Sequence, residues 1–285
     1  MTPAPLTARR AMFRDAGLQR DYDRAGYAVV PFLDGAQIER LARRWHELGD
    51  AVHTRPFSAS IMSADSEYRR AVNDVIGEIF APLIPRLMVD YRFSFGSFVT
   101  KLPGNAVALP VHQDPQFVDE PEHESVNVWV PLVDVDGQNG CLRVMPGSHL
   151  LNRGPRGTNR GFPYAELAPL IESEYFVDVP MRAGEACITS HRTFHGSRGN
   201  VTPAERIVAA AIAVPAEAEM RYLYEGGAAP KGTIEVFAVD DEFFRAHVFG
   251  EPAAGRTPID RVARRHDPLT PAQLAETFAG ARPAG

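Results

Sequence analysis

The 285-residue chain has two cysteines, Cys141 and Cys187, far apart and in no CxxC pattern. That scarcity excludes a disulfide scaffold and a thiolate zinc site, and it allows folding in a reducing cytoplasm, the expected location. Positive charge is not in excess: 30 Lys and Arg stand against 36 Asp and Glu, a formal net charge of −6. A duplex-binding protein gathers cations to displace phosphate counterions, so nucleic acid is not an expected partner. The longest apolar run, residues 207–214, falls short of the roughly 20 residues that a bilayer-spanning helix needs, so no membrane partner is expected either. The first twelve residues hold Pro3, Pro5, Arg9 and Arg10 but no apolar core of a secretion signal. Internal repeats and a Ser/Gly linker are also missing, which leaves residues 1–285 as one expected domain.

The remaining composition, 45% hydrophobic and 23% charged, is that of an ordinary globular chain. Residues 1–90 read as mainly helical. Asp34 is a candidate N-cap, followed at helical spacing by Ile38, Leu41, Trp45 and Leu48. A second helix is predicted through Val72, Val75, Ile76, Ile79 and Phe80, ending before Pro82 or Pro85. Near Tyr91 the period changes to two. Phe93 and Phe95 alternate with Arg92 and Ser94; Val126, Val128, Val130 and Leu132 share one face, Asn127 and Trp129 the other. Further strands are predicted at 142–145, 185–190 and 206–214, with turns at Asn139-Gly140 and Pro146-Gly147. Short strands separated by turns predict an all-β core over 91–215, a barrel or jelly roll with added α-helices, rather than alternating β/α units. Residues 216–285 form a C-terminal extension, ordered over 234–249, with a short last helix starting at Thr270-Pro271. Residues 152–162, carrying Arg153, Arg156 and Arg160, read as a mobile solvated loop; recognition of an anionic substrate, or closure as a lid, is the other reading.

The chemistry concentrates in Leu109-Pro110-Val111-His112-Gln113-Asp114. On an extended segment residues i and i+2 share a face, so His112 and Asp114 offer an imidazole and a carboxylate to one ion while Gln113 points away. A second imidazole would complete a two-histidine, one-carboxylate facial triad, which leaves coordination positions open for oxygen chemistry on iron(II). An H-x-D triplet alone is also what a strand-end histidine bonded to its neighbour looks like, and nine histidines are available for the third place. His191-Arg192-Thr193-Phe194-His195-Gly196-Ser197 precedes Arg206, a lone cation at the head of an apolar strand. A co-substrate such as 2-oxoglutarate chelates iron through its keto-acid end, and its far carboxylate then needs a buried cation, for which the guanidinium fork is suited. An exposed Arg206 paired with Glu205 is the alternative.

These blocks, together with Asp23-Arg24-Ala25-Gly26-Tyr27-Ala28-Val29-Val30-Pro31, with Trp129, and with Asn139-Gly140-Cys141-Leu142-Arg143-Val144-Met145-Pro146-Gly147-Ser148-His149, occur in one order. In that order the chain resembles the phytanoyl-CoA dioxygenase family of iron(II)/2-oxoglutarate oxygenases, over roughly Tyr22 to Pro215. The resemblance implies a double-stranded β-helix, a cupin-like jelly roll with N-terminal helices. It implies His112, Asp114 and His195 as iron ligands. Arg206 would hold the distal carboxylate of 2-oxoglutarate, Ser197 would bond to it, and Trp129 would line its pocket. Asn127, on the Trp129 face, joins them as a candidate pocket group. The implied reaction consumes O2 and 2-oxoglutarate, gives succinate, and hydroxylates an unactivated C–H of a small molecule such as a natural-product intermediate. Desaturation, epoxidation and ring formation share the same cofactor chemistry. Related halogenases lack the carboxylate ligand, so Asp114 points away from chlorination.

Other residues take plainer expectations. His191 is a competing ligand that the family pattern disfavours, His149 fixes a turn, and His123 sits solvated in an acidic loop. Lys101 is either a pocket cation or an exposed strand-edge lysine, and Gln113 is a possible pocket group. A non-catalytic metal-binding cupin-like protein is the expectation from another class; it would have no need of Arg206 and Ser197. A zinc hydrolase would leave Arg206 unexplained.

Overall fold

The computed structural model describes residues 10–49, 55–159, 161–226 and 229–281. Helix α1 (Ala16–Ala25) is capped by the Asp15 carboxylate, which accepts the Leu18 N–H. It ends at Gly26 in the left-handed region, where a Cβ would also strike the His149 ring. Strand β1 (Tyr27–Pro31) follows. Helix α2 (Gly35–Leu48) starts at Asp34 as expected, in a capping box completed by Gln37. Strand β2 (Phe57–Ala59) leads to α3 (Ser66–Phe80), the second expected helix, and to the single turn α4 (Ile84–Leu87).

The β region then runs β3 (Tyr91–Lys101), β4 (Leu109–His112), β5 (Val126–Pro131), β6 (Leu142–Val144), the turn α5 (Ala168–Leu170), β7 (Val177–Val179), β8 (Glu185–Ser190), β9 (His195–Ser197) and β10 (Arg206–Pro215). The C-terminal part holds β11 (Met220–Glu225), β12 (Thr233–Val239), α6 (Asp241–Ala246), β13 (Asp260–Ala263) and α7 (Pro271–Ala281).

Two antiparallel sheets carry the core. The larger has the order β1-β8-β5-β10-β3-β2 and the smaller β4-β9-β6-β7. Between β3 and β10 the chain steps from one sheet to the other, apart from the β6–β7 pair, which is the winding of a double-stranded β-helix. The helical N-terminal part also supplies both edge strands of the larger sheet, β1 and β2, which helical periodicity did not announce. Strands β11, β12 and β13 make a third sheet, likewise unannounced.

Alternation decides which side chain meets which layer. Ile207, Ala209, Ala211 and Ala213 of β10, with Val126, Val128 and Val130 of β5, pack against Leu41, Val72, Ile76 and Phe80 of α2 and α3. The opposite parity, Val208 and Ala210 with Trp129, turns inward onto Leu142, Val144 and Val179 of the smaller sheet. Each large side chain so buried contributes about 1.5–3 kcal/mol. Small residues on the outer face let α3 sit close: Gly96 pairs with Ala211, and a Cβ on Gly96 would lie 2.7 Å from Ile76 Cγ2.

The stretch 152–162 differs from its expectation. The Arg156 guanidinium is buried against Glu120, Thr158 N–H bonds to Leu223 O, and Asn159 Nδ2 donates to Glu225 O. Gly154 serves close approach rather than mobility, since a Cβ there would meet Arg265 O at 2.1 Å. Arg160 lies outside the described residues. Among the described residues no helix is long and apolar enough to cross a membrane.

The close helix–sheet contact gives a test. Gly96→Ala should destabilise the fold by about 1–3 kcal/mol through overpacking, read as a lower urea midpoint. An unchanged midpoint would show that α3 can move away freely.

Candidate active site

Strands β4 and β9 are paired so that His112 and His195 are direct Cα partners. Their rings lie 4.1 Å apart between centroids. Asp114, just past β4, completes the cluster: its Oδ1 is 4.0 Å from His112 Nε2 and 3.8 Å from His195 Nε2. One donor atom from each of the three lies within 4.8 Å of the others, a spacing that a single metal ion can satisfy.

The donors are also in the right chemical form. His112 Nδ1 bonds to Pro110 O and His195 Nδ1 to Thr193 O, both at 2.9 Å. Only an N–H can donate to a carbonyl, so each Nδ1 carries a hydrogen and Nε2, which faces the cluster, is the nitrogen left to bind a metal. Burial, then the neighbouring His195, push His112 down to about 4. Burial works to raise the Asp114 carboxyl, but His195, His191, His112 and Arg156 outweigh it, and the group stays below the usual carboxylate range. Asp114 Oδ2 is buried without a hydrogen-bond partner. Two imidazole Nε2 atoms beside an ionised carboxylate with a bare oxygen fit a divalent cation.

Arg206 heads β10 and is 1% exposed. Its guanidinium sits 5.4 Å from the Trp129 ring centre, Nη1 makes one long 3.4 Å bond to Val99 O, and Nε has no partner. No carboxylate among the described residues pairs with it; Glu205 turns instead to His46 at 3.4 Å. Burial lowers Arg206 to about 9. An uncompensated buried guanidinium is costly, and an anionic group would relieve it.

Opposite Arg206 in the β3–β10 register stands Lys101. It is fully buried, not an exposed edge residue, and its Nζ donates to Val107 O and Arg198 O. Burial and the adjacent Arg206 bring it down to about 7. Ser197 shares the His195 strand two residues on and is buried. Asn127 Oδ1 is buried without a partner.

Two cavities flank the triad. An apolar one of about 140 Å3 runs from Asp114 to Asn127, Val99 and Ala210, walled by Phe95, Phe117 and Phe249. A polar one of about 300 Å3 opens beside His112, lined by Asn152, Arg156, Phe162, Glu225, Arg264 and Arg265.

Remaining candidates fall elsewhere. His191 is fully buried, bonded through Nδ1 to Ser125 Oγ, and does not join the cluster. His149 Nε2 meets Asp23 O and steadies its turn. His123 lines a different cavity, with Arg10 and Glu217. Gln113 is the exception: it bonds to Arg192 O and Asn152 and, as expected, lines the polar cavity beside His112. The burial of Lys101 and Arg156, and the part taken by Glu225, Arg264 and Arg265, carried no local signal in the sequence.

Two predictions follow from this geometry. The unfolded chain protonates His112 near 6.5 and the folded apo chain only near 4, so below pH 6.5 the unfolded state binds more protons. The apo protein's urea midpoint should fall as pH drops from 6.5 to 4; a flat profile would mean that this histidine is not held neutral. Secondly, a Cβ on Gly196 would lie 2.6 Å from Leu109 O. Gly196→Ala should force β4 and β9 apart and weaken Co(II) binding at least tenfold, an order of magnitude typical of disturbed metal-site support; calorimetric titration reads it directly.

Comparison with known proteins bears on both fold and site. A phytanoyl-CoA dioxygenase from Arabidopsis thaliana is 32% identical over 112 residues, 38% of this chain and 39% of that protein. The chain thus spans well under half the length of the first curated relatives it matches, 39% and 40% of them. An ectoine dioxygenase from Streptomyces avermitilis is 29% identical over 238 residues, covering 72% of this chain and 77% of that one. The non-heme alpha-ketoglutarate-dependent carbocyclase SnoK of nogalamycin biosynthesis superposes with a TM-score of 0.53 at 22% identity, over 72% of this chain and 86% of that one, and shares the fold. The phytanoyl-CoA dioxygenase (PhyH) family profile matches residues 22–208. With two thirds of its length under that profile, the chain belongs to the phytanoyl-CoA dioxygenase family.

Proposed function

We propose that the protein is an iron(II)- and 2-oxoglutarate-dependent dioxygenase that hydroxylates a C–H bond of a small organic molecule. The observation that carries this reading is the pairing of a metal-type donor set with a buried arginine on the facing sheet that no carboxylate among the described residues pairs and whose Nε has no partner. The donor set alone would suit a zinc site or a non-catalytic cupin-like protein; neither needs the cation.

His112, Asp114 and His195 would hold the metal. With O2 and 2-oxoglutarate, iron(II) supplies an oxidant strong enough for an unactivated C–H, and 2-oxoglutarate leaves as succinate and carbon dioxide. The chain's own groups bind and orient. Arg206 takes the distal carboxylate of 2-oxoglutarate, with Lys101 close behind it and Ser197 as hydroxyl donor. The Trp129 ring lies under the guanidinium carbon and steadies it by a cation–π contact. Asn127 offers its unpaired oxygen to the apolar cavity beside Asp114, which keeps water from the co-substrate chain.

The polar cavity beside His112 is the substrate chamber in this reading. Its mixed lining of Arg264, Arg265 and Glu225 suits a small charged or polar molecule better than a long acyl chain. The names of the relatives, an ectoine dioxygenase and a carbocyclase of nogalamycin biosynthesis, support a natural-product intermediate or amino-acid derivative as substrate. Desaturation, epoxidation or ring formation would use the same site with a different substrate pose. Both cysteines are buried and free, in keeping with a cytoplasmic enzyme.

Succinate release from 2-oxoglutarate with iron(II) tests the reading without the substrate. The intact protein should release succinate slowly in air and none anaerobically, while Asp114→Ala and Arg206→Ala fall to background. Binding of iron and 2-oxoglutarate without turnover would show that substrate is needed to start the reaction. No binding of either would sink the oxygenase and leave the non-catalytic protein.

A further inference from the structure

We propose that the β6–β7 connection is a brace for the metal-binding segment, with Arg156 as its positioning residue. The inference rests on the metal reading above. Arg156 is 8% exposed and gripped by both carboxylate oxygens of Glu120, itself buried. Held in that fork, its Nε–H donates to Asp114 O at 2.8 Å. Two further bonds lock the same two segments together: Arg156 N–H donates to the Gln116 side-chain Oε1 at 3.0 Å, and Gln116 N–H to Arg156 O at 3.2 Å.

A second tie lies four residues earlier. Asn152 Nδ2 donates to Gln113 Oε1 at 2.7 Å, and Gln113 Nε2 donates to Arg192 O at 2.7 Å. Gln113, the residue between the two ligands on the first segment, therefore cross-links that segment to the one that delivers His195. Thr193, next to Arg192, supplies the carbonyl that orients His195. All three donor residues are thus steadied through backbone or neighbour contacts that meet at residues 152–156.

The residue types fit positioning. Asp114 has a bare Oδ2 and lies beyond the end of β4, so no ladder bond of that strand holds its carbonyl. Without the Arg156 bond the peptide could rotate, and its carboxylate would swing with it. Arginine serves both partners at once, two N–H groups to Glu120 and one to the carbonyl; a lysine is a single point charge and cannot span them. A buried ion pair adds little net stability over an apolar pair but leaves a costly orphan when one partner is removed. Its value here is geometry.

The test is Co(II) titration of the apo protein, followed by calorimetry and by the visible Co(II) spectrum, alongside thermal midpoints. Arg156→Gln should bind Co(II) roughly 10–100-fold more weakly with a shifted spectrum, and Arg156→Lys should not rescue it. Asn152→Ala, which orphans no charge, should weaken binding in the same direction. The pair Glu120→Gln/Arg156→Gln, which removes both charges of the fork and leaves Arg192 with Glu124, should regain thermal stability yet keep the weak binding and altered spectrum. Unchanged affinity and spectrum in Arg156→Gln, or affinity that returns with the midpoint in the double variant, would overturn the brace. If the unmodified protein binds no Co(II), the metal reading itself fails, an outcome visible before any variant is made.

Discussion

The register of β4 against β9 is the constraint on which the site depends. Pairing His112 with His195 puts two imidazoles on one face, within reach of Asp114. A slip of one residue would send one imidazole to the other side of the smaller sheet. Several features hold the pairing. Gly196 lets β4 approach without a side chain in the way, β6 pins β9 from the other edge, and Gln113 ties the two ligand segments beyond the ladder. The site is built on strands, with its support in loops that fold back onto them.

Charge placement follows from the same architecture. The interior between the two sheets is apolar, yet it holds Arg206 and Lys101 as direct partners across β3 and β10. Two cations side by side in such a place oppose each other, and both lie below their ordinary pKa values. That arrangement is a standing cost to the fold, and it suits the dianionic co-substrate proposed for this site. On the other side of the triad the arginines are matched: Arg156 with Glu120, Arg221 with Asp119, Arg192 with Glu124. The arginines paired there brace loops, whereas Arg206 inside has no carboxylate partner among the described residues.

The alternation read along 125–132 was legible because a strand between two apolar layers must sort its side chains by parity. Val126, Val128 and Val130 meet the helices, while Asn127 and Trp129 turn to the interior. Asp34 as a cap, the helix ending at Phe80 and the strand starting at Arg206 were legible for similar local reasons. Strand β1 hid in a helical neighbourhood because five residues form a strand only by pairing with distant β8. The 152–162 stretch looked solvated because Gly and Arg are common in mobile loops; its order comes from Glu120, Leu223 and Arg265, none of them near in sequence.

The sequence by itself determined the features that depend on neighbours along the chain: the H-x-D pair on one face, the parity of the core strands, the helix caps, and the lone arginine heading an apolar strand. Tertiary structure decided which histidine joined that pair, set Lys101 beside Arg206, buried Arg156 against Glu120, and brought Arg264 and Arg265 to the cavity beside His112. The division has one physical cause. Periodicity and capping act over a few residues and leave a pattern in the chain, whereas cross-strand register and loop docking join residues far apart and are written only in three dimensions.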